Sequence, residues 1–273
     1  MNNTQFTENG LYYRQWPTSQ VIDSKTVLLV HGLGEHCERY GPLAGALNDA
    51  GYNVCSMDLP GHGKSEGTRG HIDSFKDYHR AVLGLRAKID DWYPNQKVFL
   101  LGHSMGGLIS AQLLLDHQDL FTGALLSGAA IQSPQTPPGW QIGLMKLISK
   151  VAPKAGMLEL DASKISRDPE VVKTYMNDPL VNKGKLSAKF LVAMFSAMNE
   201  CQSRASAISL PIRIMHGSGD VMTASAGSEL LYNKISSSDK ELKIYDGLFH
   251  EIFNEPEAPE IYKEVIDWLD KRG

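Results

Sequence analysis

Apolar and polar positions along the chain follow two periods. Short, almost continuous apolar runs recur at Thr26–Val30, Asn53–Met57, Lys97–Leu101, Gly123–Ser127, Pro211–Met215 and Glu241–Tyr245. Runs of that kind suit strands covered on both faces. Between them the apolar residues step by three or four. In 74–92, Phe75, Tyr78, Val82, Leu85, Ile89 and Trp92 make one stripe, which predicts a helix. Ser74 is placed to cap it, with Asp77 three residues on as a capping-box partner. Leu108–Leu115 and Ile261–Leu269 read as further helices. Strands alternating with helices predict the α/β class, with a mostly parallel, doubly wound sheet. Ahead of them, the turn signal Glu8-Asn9-Gly10 predicts a hairpin over 4–16, with Leu11, Tyr13 and Trp16 packing inward.

The rhythm breaks between 131 and 208, where the pattern predicts helices and no strand. Gly139–Val151 carries Trp140, Ile142, Leu144, Met145, Leu147, Ile148 and Val151, and Phe190–Met198 is similarly apolar. This stretch is too long for a simple crossover. The reading is a core formed by 1–130 and 209–273, interrupted by a helical cap, 131–208. The cap is expected over the C-terminal edge of the sheet, where open α/β folds bind ligands. Most of its apolar residues are expected to pack in the ordinary way. Gly139–Val151 holds more of them than one buried stripe accepts, so part of that helix is expected to line an apolar entrance or meet lipid.

Composition narrows the function classes. With 42% hydrophobic and 21% charged residues in 273 positions, the chain can bury a full core without disulfide or metal staples. A net charge of -4 and the lack of any basic run argue against a nucleic-acid binder and against a polybasic membrane patch. Cys37, Cys55 and Cys201 are odd in number and widely spaced, which suits a reducing compartment rather than a disulfide framework. The opening residues lack the basic-then-apolar order of a signal peptide. No apolar run approaches the roughly 20 residues of a membrane span. A soluble, cytoplasmic protein is expected.

Gly102-His103-Ser104-Met105-Gly106 fits the Gly-x-Ser-x-Gly elbow, and it stands where that motif needs to be, between a strand and a helix. The glycines allow a sharp turn that pushes the serine hydroxyl off the sheet. Gly107 allows close packing behind it. The alternative is a glycine-rich turn with an idle serine. A serine needs a base, and this elbow expects the order Ser, Asp or Glu, then His. Asp220 follows the strand Pro211–Met215 and His250 follows Glu241–Tyr245, so both share the sheet edge with Ser104. His216 is the rival base; Asp239 and Asp246 are rival acids with ordinary turn roles. Oxyanion donors are expected from the Met105 N–H, at a helix start, and from the Leu33 N–H in His31-Gly32-Leu33-Gly34-Glu35-His36. Asp58 replaces the first glycine of a phosphate loop at 58–65, and no second ligand pair supports zinc at His31, His36 and Cys37. No metal and no cofactor are expected.

Taken together, four segments resemble the monoacylglycerol lipase family of α/β-hydrolases, within the serine aminopeptidase S33 group that also holds lysophospholipases. They are His31-Gly32-Leu33-Gly34-Glu35-His36 with Arg39-Tyr40, Gly61-His62-Gly63 with Ser65-Glu66-Gly67, Gly102-His103-Ser104-Met105-Gly106-Gly107, and Leu242-Lys243-Ile244-Tyr245 ahead of His250. The likeness is weakest in 131–208. It implies an α/β-hydrolase fold, a catalytic triad of Ser104, Asp220 and His250, and oxyanion donors at Leu33 and Met105. It also implies a cap that takes a fatty-acyl chain from a membrane or micelle, so peripheral membrane contact belongs to the expectation. Glu35, Arg39 and His103 are then substrate-binding surroundings of the site, or else a loop-bracing ion pair and a packed histidine. Vertebrate members place a second histidine three residues after the catalytic one; here that place is Phe253. The implied reaction is hydrolysis of monoacylglycerol to glycerol and fatty acid through an acyl-enzyme. The alternatives are a lysophospholipase or general carboxylesterase with the same triad, and a non-catalytic ligand-binding protein. Cys37 reads as either a reactive thiol or a buried one.

Overall fold

A computed structural model describes residues 4–20, 25–134, 138–159 and 161–273. The N-terminal hairpin joins β1 (Thr4–Glu8) to β2 (Leu11–Trp16). Its two turn residues, Asn9 and Gly10, have φ of 51° and 75°, the left-handed pair that matches a two-residue loop to the strand twist. Tyr13 enters one core and Tyr12 and Trp16 the other. Leu11 stays half-buried.

Strands and helices then alternate: β3 (Lys25–Val30), α1 (Gly41–Asp49), β4 (Tyr52–Met57), α2 (Phe75–Trp92), β5 (Val98–His103), α3 (Met105–His117) and β6 (Gly123–Ser127). Between β6 and the next core strand lie α4 (Gly139–Val151), β7 (Gly156–Leu158), α5 (Pro169–Asn177), β8 (Leu186–Ser187) and α6 (Ala188–Arg204). The chain closes with β9 (Ile212–Gly217), α7 (Ser225–Lys234), β10 (Lys240–Tyr245) and α8 (Ala258–Asp270). The main sheet runs β1-β2-β4-β3-β5-β6-β9-β10. Only β1 and β2 are antiparallel to their neighbours.

The apolar runs have their physical cause in two cores. Val27 and Leu29 of β3 face Leu43 and Leu47 of α1 and Val265 and Leu269 of α8. Leu28 and Val30 face α2 and α3 on the other side. On α2 the predicted stripe is buried from Phe75 to Ile89, and the Ser74 hydroxyl accepts the Lys76 N–H at 3.2 Å. Asp77 pairs with Arg80 instead of closing a capping box.

Three helices lack a sequence signal. α1 contains two glycines and a proline, and α5 and α7 bury few large apolar residues. The expectation of no strand in 131–208 is corrected: β7 and β8 form a small antiparallel pair. β7 is exposed throughout and β8 has two residues, so neither shows an alternating pattern. Residues 135–137 and 160 of this segment lie outside the described residues. On α4, Trp140, Leu144, Leu147 and Val151 are 48–75% exposed and fall on one helical face.

The sheet order reverses direction between β3 and β5. Loops leaving adjacent strands at such a point diverge and leave a crevice. The loop after β3 and the turn after β5 carry the candidate chemistry.

Candidate active site

β5 ends at His103 and α3 starts at Met105, so Ser104 alone makes the turn. It does so at φ 54° and ψ −119°. For a residue other than glycine that conformation costs on the order of 1–3 kcal/mol. Neighbours hold it there. The Ser104 N–H donates to the Ser127 carbonyl at 2.9 Å, and the Ser104 carbonyl accepts from Leu108 and Ala130. A Cβ at Gly106 would lie 2.2 Å from the Val30 carbonyl oxygen, and one at Gly107 would lie 2.7 Å from the Ala129 Cβ. Both glycines are therefore required by space.

Parallel strands deliver the next two groups to the same edge. His250 Nε2 lies 2.9 Å from Ser104 Oγ, and His250 Nδ1 lies 2.6 Å from Asp220 Oδ2. Asp220 Oδ1 accepts the Met222 and Thr223 N–H groups at 2.7 and 3.1 Å. Burial pushes the Asp220 carboxyl up, but the His250 charge and hydrogen bonds from His216 and His250 outweigh it and hold it below the usual carboxylate range. Burial pushes the His250 imidazole down; Asp220, then Glu251 and Glu35, reverse this and raise it above its ordinary value. A serine hydroxyl in contact with such a base can be deprotonated as it attacks. The rival acids are engaged elsewhere: Asp239 with Arg272 and Asp246 with Ser218. The rival base His216 is fully buried, with Nε2 3.0 Å from Asp220 Oδ2, the oxygen that His250 also contacts.

The loop after β3 comes up against the serine. Gly34 takes φ 79°, and the Gly32 N–H donates to Glu35 Oε1 at 2.6 Å. Leu33 and Met105 line the same small cavity as Ser104 and His250, about 50 Å³ in volume. Neither N–H donates to an acceptor among the described residues. Met105 opens α3, where the helix dipole favours negative charge.

Glu35 and His103 line this cavity and Arg39 does not. The Arg39 guanidinium is 2.5 Å from Glu35 Oε2 and bonds both oxygens of Glu251 at 2.7 Å. It also stacks 4.6 Å over the Tyr175 ring. The bracing ion pair is thus present, with a third partner that the sequence left unflagged. Glu251 had only one signal, its place directly after His250. Arg39 overcomes the upward push of burial on Glu35 and brings that carboxyl down to about 2. His103 packs 4.8 Å from the His250 ring and sits 3.2 Å from Ser127 Oγ. Burial, then the His250 charge, lower it to about 4. Cys37 is buried and burial pushes its thiol up, the state of an inert thiol.

Over residues 23–257 the sequence matches the serine aminopeptidase S33 family. The chain belongs to that family. The monoacylglycerol lipase of Mycolicibacterium smegmatis is 35% identical over 262 residues, covering 95% of this chain and 92% of that protein. The monoglyceride lipase of Mus musculus is 33% identical over 265 residues, covering 96% and 87%. The solved structure of Paleococcus ferrophilus monoacylglycerol lipase is 32% identical, with a TM-score of 0.86 over 96% of this chain and 99% of that one. The fold is the α/β-hydrolase fold, as the motifs implied.

Two larger cavities in this S33 chain share a lining residue with the small cavity at Ser104. One of about 610 Å³ is lined by Pro138, Met145, Leu158, Leu191, Phe195 and Met222, and is largely apolar. The other, of about 470 Å³, is lined by Glu159, Asp161, Tyr175, Asn182, Lys183 and Met222. Met222 also lines the cavity at Ser104, so its side chain is a wall common to all three. Phe253 lines none of these; it is buried in the core 6.3 Å from the Tyr262 ring.

Proposed function

We propose that this protein is a serine carboxylic-ester hydrolase that cleaves monoacylglycerol to glycerol and free fatty acid. The observation that carries the reading is the unbroken row Ser104 Oγ, His250 and Asp220, with contacts of 2.9 and 2.6 Å. The S33 membership and the monoacylglycerol lipase relatives support the substrate class.

Ser104 Oγ attacks the ester carbonyl carbon as His250 Nε2 takes the hydroxyl proton. The Leu33 and Met105 N–H groups receive the negative oxygen of the tetrahedral adduct. When the carbon–oxygen bond to glycerol breaks, His250 returns the proton to the glycerol oxygen. Water then attacks the acyl-enzyme by the same route and releases the fatty acid. Asp220 keeps the imidazole oriented and stabilises its charged form. The cavity of about 610 Å³ takes the acyl chain, and the one that reaches Asn182 and Lys183 faces the head group. Residues 131–208 act as a cap, and the exposed face of α4 touches the membrane or micelle that holds the substrate. Among the described residues no helix is long and apolar enough to cross a membrane.

Phe253 in the core favours a second reading on the head group. With no histidine at that place, the polar lining near Ser104 and His250 comes from Glu35, His103, Tyr175, Thr223 and Glu251, and a lysophospholipid or simpler ester is the alternative substrate. Fatty-acid release from monooleoylglycerol and from lysophosphatidylcholine of the same chain, by wild type and Ser104→Ala, tests both. Serine-dependent release from the glyceride is expected. Preference for the phospholipid moves the substrate; release that survives Ser104→Ala sinks the mechanism.

A further inference from the structure

His216 is the last residue but one of β9 and is fully buried. The row from Ser104 to Asp220 makes no use of it. Yet its ring sits in a tight knot of polar atoms around the oxygen that His250 uses. His216 Nε2 is 3.0 Å from Asp220 Oδ2 and 3.3 Å from Thr223 Oγ1. The Thr223 hydroxyl is 2.7 Å from the same Oδ2, 3.0 Å from the Gly128 carbonyl and 3.4 Å from His250 Nδ1. On its other side, His216 Nδ1 lies 2.7 Å from Ser228 Oγ on α7. With Ser228 donating to Nδ1, the ring hydrogen is on Nε2 and points into the knot. That N–H is then shared between Asp220 Oδ2 and a Thr223 lone pair, and the Thr223 hydroxyl hydrogen is left for Asp220 or Gly128.

We propose that His216 is a positioning residue for the ester hydrolysis: it holds Asp220 Oδ2 in line with His250, directly and through Thr223, and Ser228 fixes its tautomer. The backbone donors reach only Oδ1. Without His216 and Thr223, Oδ2 would keep His250 as its one partner among the described residues, and the Oδ1 donors alone would resist rotation of the carboxylate about the Cβ–Cγ bond. A misplaced group of this kind costs rate even when every reacting residue remains.

This inference rests on the triad reading above, so the experiment separates the two. Turnover of p-nitrophenyl butyrate is followed across pH for wild type, Ser104→Ala, His216→Leu, His216→Gln and Ser228→Ala, with thermal melts to verify folding. The groups facing His250 are Asp220, Thr223 and His216 from β9 and the loop after it, His103 from β5, the adjoining Glu251, and Glu35 with its partner Arg39. All but His216 are unchanged in the His216 variants. His216→Leu is expected to lower kcat roughly tenfold to a hundredfold, with KM little changed. Its acid limb should move to lower pH, because a loosened Asp220 supports the His250 charge less. His216→Gln carries a donor at the Nε2 position and should restore most of kcat. Ser228→Ala should show a smaller loss of the same kind, and it decides the matter if His216→Leu does not fold.

Wild-type kcat and acid limb in His216→Leu, or in Ser228→Ala where the first is unfolded, would overturn the proposal. So would a loss that Gln does not restore, since that marks a packing role. An acid limb displaced upward would mean that His216 merely draws charge from Asp220, and overturns it too. Turnover that survives Ser104→Ala sinks the triad reading and this inference together, whereas serine-dependent turnover indifferent to His216 sinks the inference alone.

Discussion

Arg39 grips Glu251, the residue after His250, through two parallel hydrogen bonds of 2.7 Å. The same guanidinium holds Glu35 beside the proposed oxyanion donor Leu33. One buried cation therefore ties the loop that would stabilise the oxyanion to the loop that carries the proposed base. Neither carboxylate has another cation within ion-pair distance among the described residues.

Arg39→Ala would leave two buried carboxylates without their cation, a change worth about 3–5 kcal/mol. Arg39→Lys keeps the charge and loses the fork, so it should recover only part. Urea unfolding of the three proteins checks the order. A lysine variant as stable as wild type would contradict it.

The pH dependence follows from His250. Its imidazole, as the proposed base, must be neutral to accept the Ser104 proton, and its surroundings raise it above the ordinary 6.5. The acid limb of kcat/KM should therefore lie above the ordinary imidazole value, with activity lost as pH falls through it. Glu251 contributes to the rise, so Glu251→Gln should move the limb to lower pH. His103, held near 4, should leave the limb in place when changed to Asn. A limb at or below the ordinary value would refute the sign.

Ser104→Gly should separate stability from activity. Glycine accepts the φ of 54° without strain, so relief of on the order of 1–3 kcal/mol is set against roughly 1 kcal/mol of added chain entropy. Calorimetry should find the variant at least as stable as wild type, with ester turnover gone. A clear fall in melting temperature would refute the strain argument.

Met222 stands between the serine and the apolar cavity, and its thioether is flexible. Met222→Ala should raise kcat/KM for decanoyl relative to acetyl p-nitrophenyl esters. An unchanged ratio would show that the acyl chain takes another way.

Trp140, Leu144 and Leu147 form the exposed face of α4. Changing all three to Ser should lower turnover of monooleoylglycerol presented in vesicles and spare that of a dissolved short-chain ester. Equal losses on both would argue for a packing role.

The fold was legible wherever burial on two faces imposes an apolar run, as in β3 and β5, or a stripe, as in α2. It was illegible where small residues make the element. α1 gives no clear helical signal, because its buried apolar residues are only Leu43, Ala44 and Leu47, and its first two turns also hold Gly41, Pro42 and Gly45. Ser104, Asp220 and His250 were legible because an elbow and two strand ends leave local marks, and the fold brings the three side chains into contact. The Arg39–Glu251 contact was not: 212 positions separate its partners, and no spacing rule joins residues so far apart. His216 was read as a competitor of His250, although the two rings meet on one oxygen of the same carboxylate.

The segment between β6 and β9 is bonded into both loops of the site. The Glu251 N–H donates to the Ile165 carbonyl, and the Gly34 carbonyl accepts the Asn182 N–H. Ser166 Oγ reaches the Asn254 carbonyl, and His36 pairs with Asp178. It is therefore not a removable accessory. Splicing β6 directly to β9 would not yield a minimal, more open enzyme; it would strip partners from the backbone on either side of Ser104. Grafting a foreign insertion onto this core must reproduce those bonds before it can change what the site accepts.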